Sequence, residues 1–214
     1  LDTDERRRFA QVSHEYLIEQ VQYQSNSILD RNEINFRHPV KTLYWVAQDI
    51  LADVENTLSK PEVALNVFED TGTRKTNIKN NYFNYHMNSI NITNKDYIQG
   101  SDAQCHSFTK ANIEFDGKER IQKMNNSYFS YYQKFLSNFN VYDDHNHHIY
   151  TYSFALKPEE HQPSGTCNFS RLRNAYLILD GVDSNTKSKM NLKIWGVNYN
   201  ILRIMSGMGG LVYS

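Results

Sequence analysis

Residues 150–156 carry the clearest hydrophobic pattern in the sequence, because large apolar side chains occupy every second position. The alternating side chains are those of Tyr150, Tyr152, Phe154 and Leu156. Such alternation predicts a β-strand with one buried face. Three more apolar segments bounded by turn-forming residues follow, at 175–179, 191–197 and 199–205. Several short strands with little helix between them predict an all-β sandwich or barrel.

Residues 39–48 show a second strand pattern, in which both faces are apolar. One face carries Val40, Thr42, Tyr44 and Val46, and the other carries Leu43, Trp45 and Ala47. A strand with two apolar faces belongs inside a sandwich or against a neighbouring element, not at a solvated edge. We therefore expect this strand to be covered on both sides.

Asp116 and Gly117 separate the alternating segment "ANIEF" from the segment "KERI". A two-residue hairpin turn needs positive φ at both of its central residues, and Asp-Gly is a preferred pair for that geometry. The sequence therefore predicts a β-hairpin that turns at these two residues.

Two segments have helical spacing. Phe9, Val12 and Tyr16 follow a run of charged residues, which predicts a short charged connector helix before the chain becomes extended. Residues 128–139 place large side chains at helical spacing and predict a helix packed through its aromatic face. Those side chains are Tyr128, Tyr132, Phe135, Leu136 and Phe139. Residues 50–84 are polar and irregular, which predicts a long exposed loop or an insertion.

Composition narrows the class of protein further. A length of 214 residues with 39% hydrophobic residues suits one globular domain with a substantial core. The chain has 23 Lys and Arg against 24 Asp and Glu, which argues against direct binding of nucleic acid. Its apolar runs are too short to span a bilayer and its N-terminus is charged, so we expect no membrane insertion.

The cysteines and glycosylation sequons give weaker information. Cys105 and Cys167 are too few for a disulfide framework, which predicts folding in a reducing compartment. Asn-x-Ser/Thr sequons occur at Asn91, Asn125 and Asn168. An asparagine-rich chain produces such sequons by chance, so without a secretory signal we expect them to be unmodified.

Three groups of residues carry potentially reactive side chains. His161 and Cys167 are close enough in sequence to meet, but no helix N-terminus or orienting residue is predicted beside the cysteine. Residues 143–148 ("DDHNHH") offer metal ligands on a single strip, which favours a polar loop over a closed metal site. Glu159 and Glu160 are adjacent, so in an extended segment they point apart. We predict no catalytic residue, no cofactor and no metal site.

Five segments together resemble one family of viral proteins. In chain order they are "LDTDERRRFAQVSHEYLIEQVQ" (1–22), "HPVKTLYWV" (38–46), "FDGKERI" (115–121), "YSFALKPEEHQPSGTCNFSRL" (152–172) and "YNILRIMSGMGGLVYS" (199–214). In these segments the chain closely resembles the C-terminal half of the major capsid proteins of nucleocytoplasmic large DNA viruses, those of algal and amoebal giant viruses in particular. The block around "PEEHQPSGTCNFSR" is the most specific part of the resemblance.

The resemblance implies the second jelly roll of a double jelly-roll protein: an eight-stranded antiparallel sandwich with a short connector helix and long loops. Residues 1–30 would hold the end of the first jelly roll and the connector, and residues 31–214 the C-terminal jelly-roll domain. The implied function is structural and not enzymatic, in homotrimeric pseudo-hexagonal capsomers of an icosahedral virion capsid assembled in the host cytoplasm. The implied partners are other copies of the chain, neighbouring capsomers and minor capsid proteins.

Within this fold, Pro163 and Gly165 are expected to form the corner between two core strands, with Cys167 and Phe169 alternating along the next strand. Candidate contacts with the neighbouring jelly roll or protomer are Glu159, Glu160, His161 and Arg171. The main alternative function is a sandwich-type surface module that binds glycans through exposed tyrosines. A cysteine hydrolase is a more distant alternative.

Overall fold

The computed structural model of the chain describes residues 2–49, 85, 106–137, 148–182, 184, 187, 190–206 and 208–213. The described helical elements are α1 (Thr3–Gln11), a π-helix (Tyr128–Tyr132), α2 (Gln133–Leu136) and a 3₁₀ turn (Phe169–Arg171). The described strands are β1 (His14–Ser27), β2 (Arg31–Glu33), β3 (Pro39–Asp49), β4 (Lys110–Phe115), β5 (Lys118–Asn125), β6 (Tyr150–Ser153), β7 (Cys167–Asn168), β8 (Ala175–Asp180), β9 (Met190–Met205) and β10 (Met208–Leu211).

These strands form two antiparallel sheets. One sheet has the order β1-β9-β3-β6, with β10 paired to β9 and β7 paired to β3. The other sheet has the order β2-β8-β4-β5. The prediction of a mostly β fold with little helix is confirmed. The predicted loop at residues 50–84 lies outside the described residues.

Helix α1 begins where the charged N-terminal pattern predicts it. Asp2 caps the helix, and Glu5 completes a capping box by accepting a hydrogen bond from the backbone N–H of Asp2. These two side chains satisfy N–H groups that have no partner inside the first turn. No residue of α1 is buried. The helix therefore leads into β1 without contributing to the core.

Strand β3 lies inside its sheet, between β9 and β6, as its two apolar faces predict. Leu43, Trp45 and Ala47 face the core shared with the other sheet, and each is at most 2% exposed. On the opposite face Val46 is equally buried. Covering both faces of the strand explains why its sequence is nearly continuous in apolar residues.

Strand β9 corrects the prediction of two separate strands at 191–197 and 199–205. The two segments form one strand of 16 residues that pairs with β1 from Asn191 to Ile204. Asn198 interrupts the apolar pattern, but its side chain is fully buried and accepts a hydrogen bond of 3.0 Å from Gln22 Nε2. A buried amide with a partner does not end a strand.

The aromatic segment after β5 is helical, but it packs through a different face from the predicted one. Phe129 and Gln133 are buried, whereas Tyr132, Phe135 and Leu136 are all more than half exposed. Tyr128–Tyr132 form a single π-helical turn, and its greater width changes which side chains face inward. Phe139, the fifth residue of the predicted face, lies outside the described residues.

Two glutamines attach the inner face of β1 to the chain segment that connects β2 and β3. Gln22 accepts a hydrogen bond of 2.9 Å from the backbone N–H of Arg37 and donates to the carbonyl of the same residue. Gln24 likewise accepts from the N–H of Asn35 and donates to the carbonyl of Glu33. The side-chain amides thus bond these backbone groups as a neighbouring strand would.

We expect Gln22→Ala to lower the free energy of unfolding by about 1–2 kcal/mol, because two backbone groups of Arg37 and the Asn198 amide each lose a partner. Urea unfolding measures this change as a lower midpoint with an unchanged slope. Ser25→Ala, at an exposed position of the same strand, is the control and should change stability by less than about 0.5 kcal/mol. Equal effects of the two substitutions would contradict a structural role for the glutamine bridge.

Candidate functional site

The loop at residues 154–166 leaves the six-stranded sheet between β6 and β7, both of which pair with β3. It contains Glu159, Glu160 and His161, all of which are exposed. Leu156, predicted to continue the strand face, lies in this loop and is 79% exposed because β6 ends at Ser153. The strand is therefore shorter than its hydrophobic alternation predicts.

Internal hydrogen bonds close the loop. Ser164 Oγ accepts a hydrogen bond of 2.9 Å from the backbone N–H of Lys157 and donates to the carbonyl of the same residue. Gly165 has φ of 154° and lies so close to the backbone of Phe154 that a Cβ atom would sit 2.6 Å from its carbonyl oxygen. Pro163 is exposed at the outer end of the same loop. The two ends of the loop are thus held together.

Arg171 lies at the end of the 3₁₀ turn that follows β7. We expected a continuous strand here, but β7 contains only Cys167 and Asn168. The Asn168 side chain accepts a hydrogen bond from the backbone N–H of Ser170, which caps the turn and ends the strand. Phe169 is consequently buried in the core, and Arg171 is exposed.

The hairpin turn at Asp116 and Gly117 is hydrogen-bonded to the chain segment that follows Arg171. Both residues have positive φ, of 49° and 78°, between β4 and β5. Asp116 Oδ1 accepts hydrogen bonds of 3.0 Å from the backbone N–H groups of Arg173 and Asn174. The hairpin turn therefore holds the chain just after Arg171.

Lys41 joins the loop to the outer face of the sheet, a role that sequence reasoning missed. Its ammonium nitrogen lies 2.7 Å from the carbonyl oxygen of Pro158 and 2.5 Å from Glu19 Oε1. Glu159 and Glu19 are also close to Tyr44: burial first, and then these two carboxylates, raise the pKa of the Tyr44 hydroxyl to about 12. The carboxylate of Glu159 therefore places a negative charge of the loop close to Tyr44 on β3.

His161 and Cys167 lie in different environments. His161 is exposed in the loop, whereas Cys167 is half-buried in β7. Burial raises the pKa of the Cys167 thiol, although the nearby Arg120 opposes this effect. The thiolate, which is the nucleophilic form of cysteine, is therefore disfavoured.

Residues 143–147 of the histidine-rich segment lie outside the described residues, and His148 follows them as a buried side chain. Its ring lies 4.8 Å from that of His106, measured between ring centroids. In the described part of the chain no three His, Cys, Asp or Glu side chains are grouped closely enough to hold a metal ion. Across the same residues, no helix is both long and apolar enough to cross a membrane.

Strand β1 exposes an apolar outer face that the sequence analysis did not identify. Leu17, Val21 and Tyr23 are each more than half exposed, and all three lie on the same face of the strand. They pair with Ile201, Val197 and Trp195 of β9. A run of large apolar side chains on the outside of a sheet is typical of a surface that packs against another domain or protein.

Comparison with known proteins places the chain among viral capsid proteins. The family described as large eukaryotic DNA virus major capsid protein matches residues 5–210. The major capsid protein of Pyramimonas orientalis virus is 39% identical, with 100% of this chain and 46% of the relative aligned. That of Paramecium bursaria Chlorella virus 1 is 34% identical and aligns over 100% of this chain and 52% of its own length. The chain thus spans about half the length of these relatives.

Solved structures agree with the sequence relatives. A quasi-atomic structure of the PBCV-1 virus capsid matches with a TM-score of 0.68 and 31% identity, covering 100% of this chain and 55% of the other. The Faustovirus major capsid protein matches with a TM-score of 0.54 at 13% identity over 88% of this chain and 33% of its own, which supports the fold alone. None of these similarities supports the glycan-binding alternative. The predicted resemblance is confirmed, and the chain belongs to the family of major capsid proteins of large eukaryotic DNA viruses.

Proposed function

We propose that this chain is the second jelly roll of a double jelly-roll major capsid protein. The supporting observation is a nested pairing of eight strands: β1 with β9, β2 with β8, β3 with β6, and β4 with β5. Among these eight strands, which leave out the short β7 and β10, the first pairs with the last, the second with the next to last, and so on inward. A long antiparallel hairpin rolled into two sheets has this order, and that is how a jelly roll is built.

The proposed function is structural. Three copies of the complete capsid protein form a pseudo-hexagonal capsomer, and capsomers with minor capsid proteins form an icosahedral virion shell assembled in the host cytoplasm. Family membership and the similarity to a solved capsid support this role. The nearly balanced charge of the chain supports a shell that does not bind nucleic acid directly.

The sequence predicts that residues 1–30 hold the end of the first jelly roll and the connector, and we propose a shorter connector. Strand β1 pairs with β9 along all of its 14 residues, so it shares a sheet with strands of the proposed C-terminal domain. Helix α1, which has no buried residue, is the better candidate for the connector itself. In this proposal the C-terminal domain starts near His14 instead of residue 31.

The apolar outer face of β1 and β9 is proposed to pack on the first jelly roll of the same protein. The relatives are about twice as long as this chain, and in this proposal their additional length forms the domain that covers the face. Burying Leu17, Val21 and Tyr23 would remove from water the most exposed large apolar side chains of β1.

The oligomeric mass of this chain tests the proposed function, measured by light scattering with size exclusion at two protein concentrations. A trimer would show that the second jelly roll already contains enough capsomer contacts. A monomer that becomes trimeric only when the first jelly roll is present would place the decisive contacts in that domain. A complete capsid protein that stays monomeric and forms no capsomers would refute the proposal.

Glu159, Glu160, His161 and Arg171 are proposed to contact the neighbouring protomer or jelly roll. We expect Glu159→Lys and Arg171→Glu to weaken the trimer of the complete capsid protein by about tenfold or more each, because reversing a charge at an interface replaces attraction by repulsion. Analytical ultracentrifugation over a concentration series measures this change. Glu33→Lys, an exposed reversal on β2, is the control. A trimer of unchanged stability in both variants would remove these residues from the interface.

A further inference from the structure

Lys41 occupies an unusual position in strand β3. The pairing of β3 with β9 shifts register between Val40 and Thr42, so Lys41 is the additional residue of a β-bulge. Its side chain is only 7% exposed, although lysine is rarely buried without a partner. Bulges change the direction of a side chain relative to the regular strand. Here the bulge coincides with a buried charge.

Three different elements provide the surroundings of the Lys41 ammonium group. Glu19 of β1 is its ionic partner, and the carbonyl oxygen of Pro158 accepts a hydrogen bond from it. The ring of Tyr199 on β9 lies with its centroid 5.5 Å from the ammonium nitrogen. Glu19 and Tyr199 are themselves paired across β1 and β9. The ammonium group therefore links three strands of the sheet to the loop at residues 154–166.

The backbone of Lys41 holds the same loop at its beginning. Its carbonyl oxygen accepts a hydrogen bond of 2.9 Å from the backbone N–H of Phe154, the first loop residue. On β3, Thr42 pairs with Ser153 at the end of β6, and Val40 pairs with Cys167 at the start of β7. Lys41 thus lies at the point where the loop leaves the sheet and returns to it.

We propose that Lys41 is a positioning residue for capsomer assembly: through Pro158 it fixes the segment Glu159–His161 in the orientation that meets the neighbouring protomer. This inference rests on the proposed contact role of that segment. Pro158 immediately precedes Glu159 and is buried, while the three residues after it are exposed. A fixed buried residue next to exposed charges reduces the conformational entropy that the loop loses when it binds.

Lys41→Met separates positioning from general stability. Methionine keeps a long apolar side chain in the sheet but removes all donors, so Pro158 loses its hydrogen bond. Glu19 is 43% exposed in this chain, so without the first jelly roll its carboxylate can be hydrated when its partner is removed. Because methionine removes only one partner of the ion pair, some loss of stability is expected, and the loop is therefore compared with β9 in the same variant.

Hydrogen exchange followed by mass spectrometry provides the first measurement. In Lys41→Met we expect the backbone amides of Lys157 and Glu160, which are hydrogen-bonded within the loop, to exchange about tenfold faster, while those of β9 keep their rates. Lys157→Met is the matched control, because Lys157 lies in the same loop and its ion pair with Glu160 is more than half exposed. Lys41→Arg keeps the positive charge, so we expect the loop amides to exchange nearly as slowly as in the unsubstituted chain.

The trimer affinity of the complete capsid protein provides the second measurement. We expect it to fall about tenfold in Lys41→Met and to recover in Lys41→Arg. Unchanged exchange in the loop would overturn the positioning role of Lys41 and leave the proposed contacts intact. Faster exchange with unchanged trimer affinity would instead remove the loop from the interface. Should Lys41→Met fail to fold, the double variant with Lys41→Met and Glu19→Gln applies the same test, since it removes the donor to Pro158 together with the carboxylate left without a counter-ion.

Discussion

Replacing Trp45 by alanine is expected to lower the free energy of unfolding by about 3–5 kcal/mol. Trp45 is 1% exposed and lies on the inner face of β3, in the sheet's interior. Its ring packs on Phe129 of the π-helix at 5.3 Å and on Tyr150 of β6 at 5.9 Å, measured between centroids. Alanine leaves a cavity that these two rigid rings cannot fill. Guanidinium unfolding followed by far-UV circular dichroism measures the loss.

Trp45→Phe is the matched control for this prediction. Among the described residues the indole N–H of Trp45 has no hydrogen-bond acceptor, so phenylalanine removes an unpaired polar group while it keeps an aromatic ring. We expect Trp45→Phe to cost less than half as much as Trp45→Ala. Equal losses would contradict the prediction, because they would show that a phenylalanine ring replaces none of the packing of the indole. A loss below about 1 kcal/mol in the alanine variant would show that the core rearranges around β3.

The parts of the fold that the sequence predicted are those decided by local chemistry. The two apolar faces of residues 39–48 indicated an interior strand, because burial on both sides requires such a pattern. The Asp116-Gly117 pair predicted a turn, since few other residue pairs reach positive φ twice in succession. In each case the signal is contained within about ten residues of the chain.

The parts that the sequence did not predict depend on partners far away along the chain. Asn198 looked like a break between strands because its partner Gln22 is 176 residues away. The aromatic segment after β5 packs through Phe129, since the π-helix changes the phase of its turns. Lys41 looked like an ordinary polar residue of an apolar strand. Its burial is explained by Pro158 of the loop and Glu19 of β1, which contact its ammonium group in the folded chain.

The loop at residues 154–166 gives a second large prediction, which concerns Gly165. Its φ of 154° lies in a region that residues other than glycine rarely adopt. A Cβ atom added to Gly165 would lie 2.6 Å from the carbonyl oxygen of Phe154. That oxygen has little freedom to move. The N–H of Phe154 is bonded to Lys41, and Ser153 Oγ bonds both backbone groups of Ala155.

Gly165→Ala is therefore expected to cost on the order of 2–3 kcal/mol, from backbone strain and from the clash together. Two other glycines separate these causes. Gly117 has φ of 78° but nothing within 4 Å of an added Cβ, so Gly117→Ala should cost about 1 kcal/mol from strain alone. Gly210 has open space and no positive φ, so Gly210→Ala should be close to neutral. Chemical denaturation of the three variants measures the loss in the free energy of unfolding for each, and so gives their order. If Gly165→Ala costs no more than Gly117→Ala, the contact with Phe154 does not hold the loop closed, and the loop must be fixed mainly through Pro158 and Lys41.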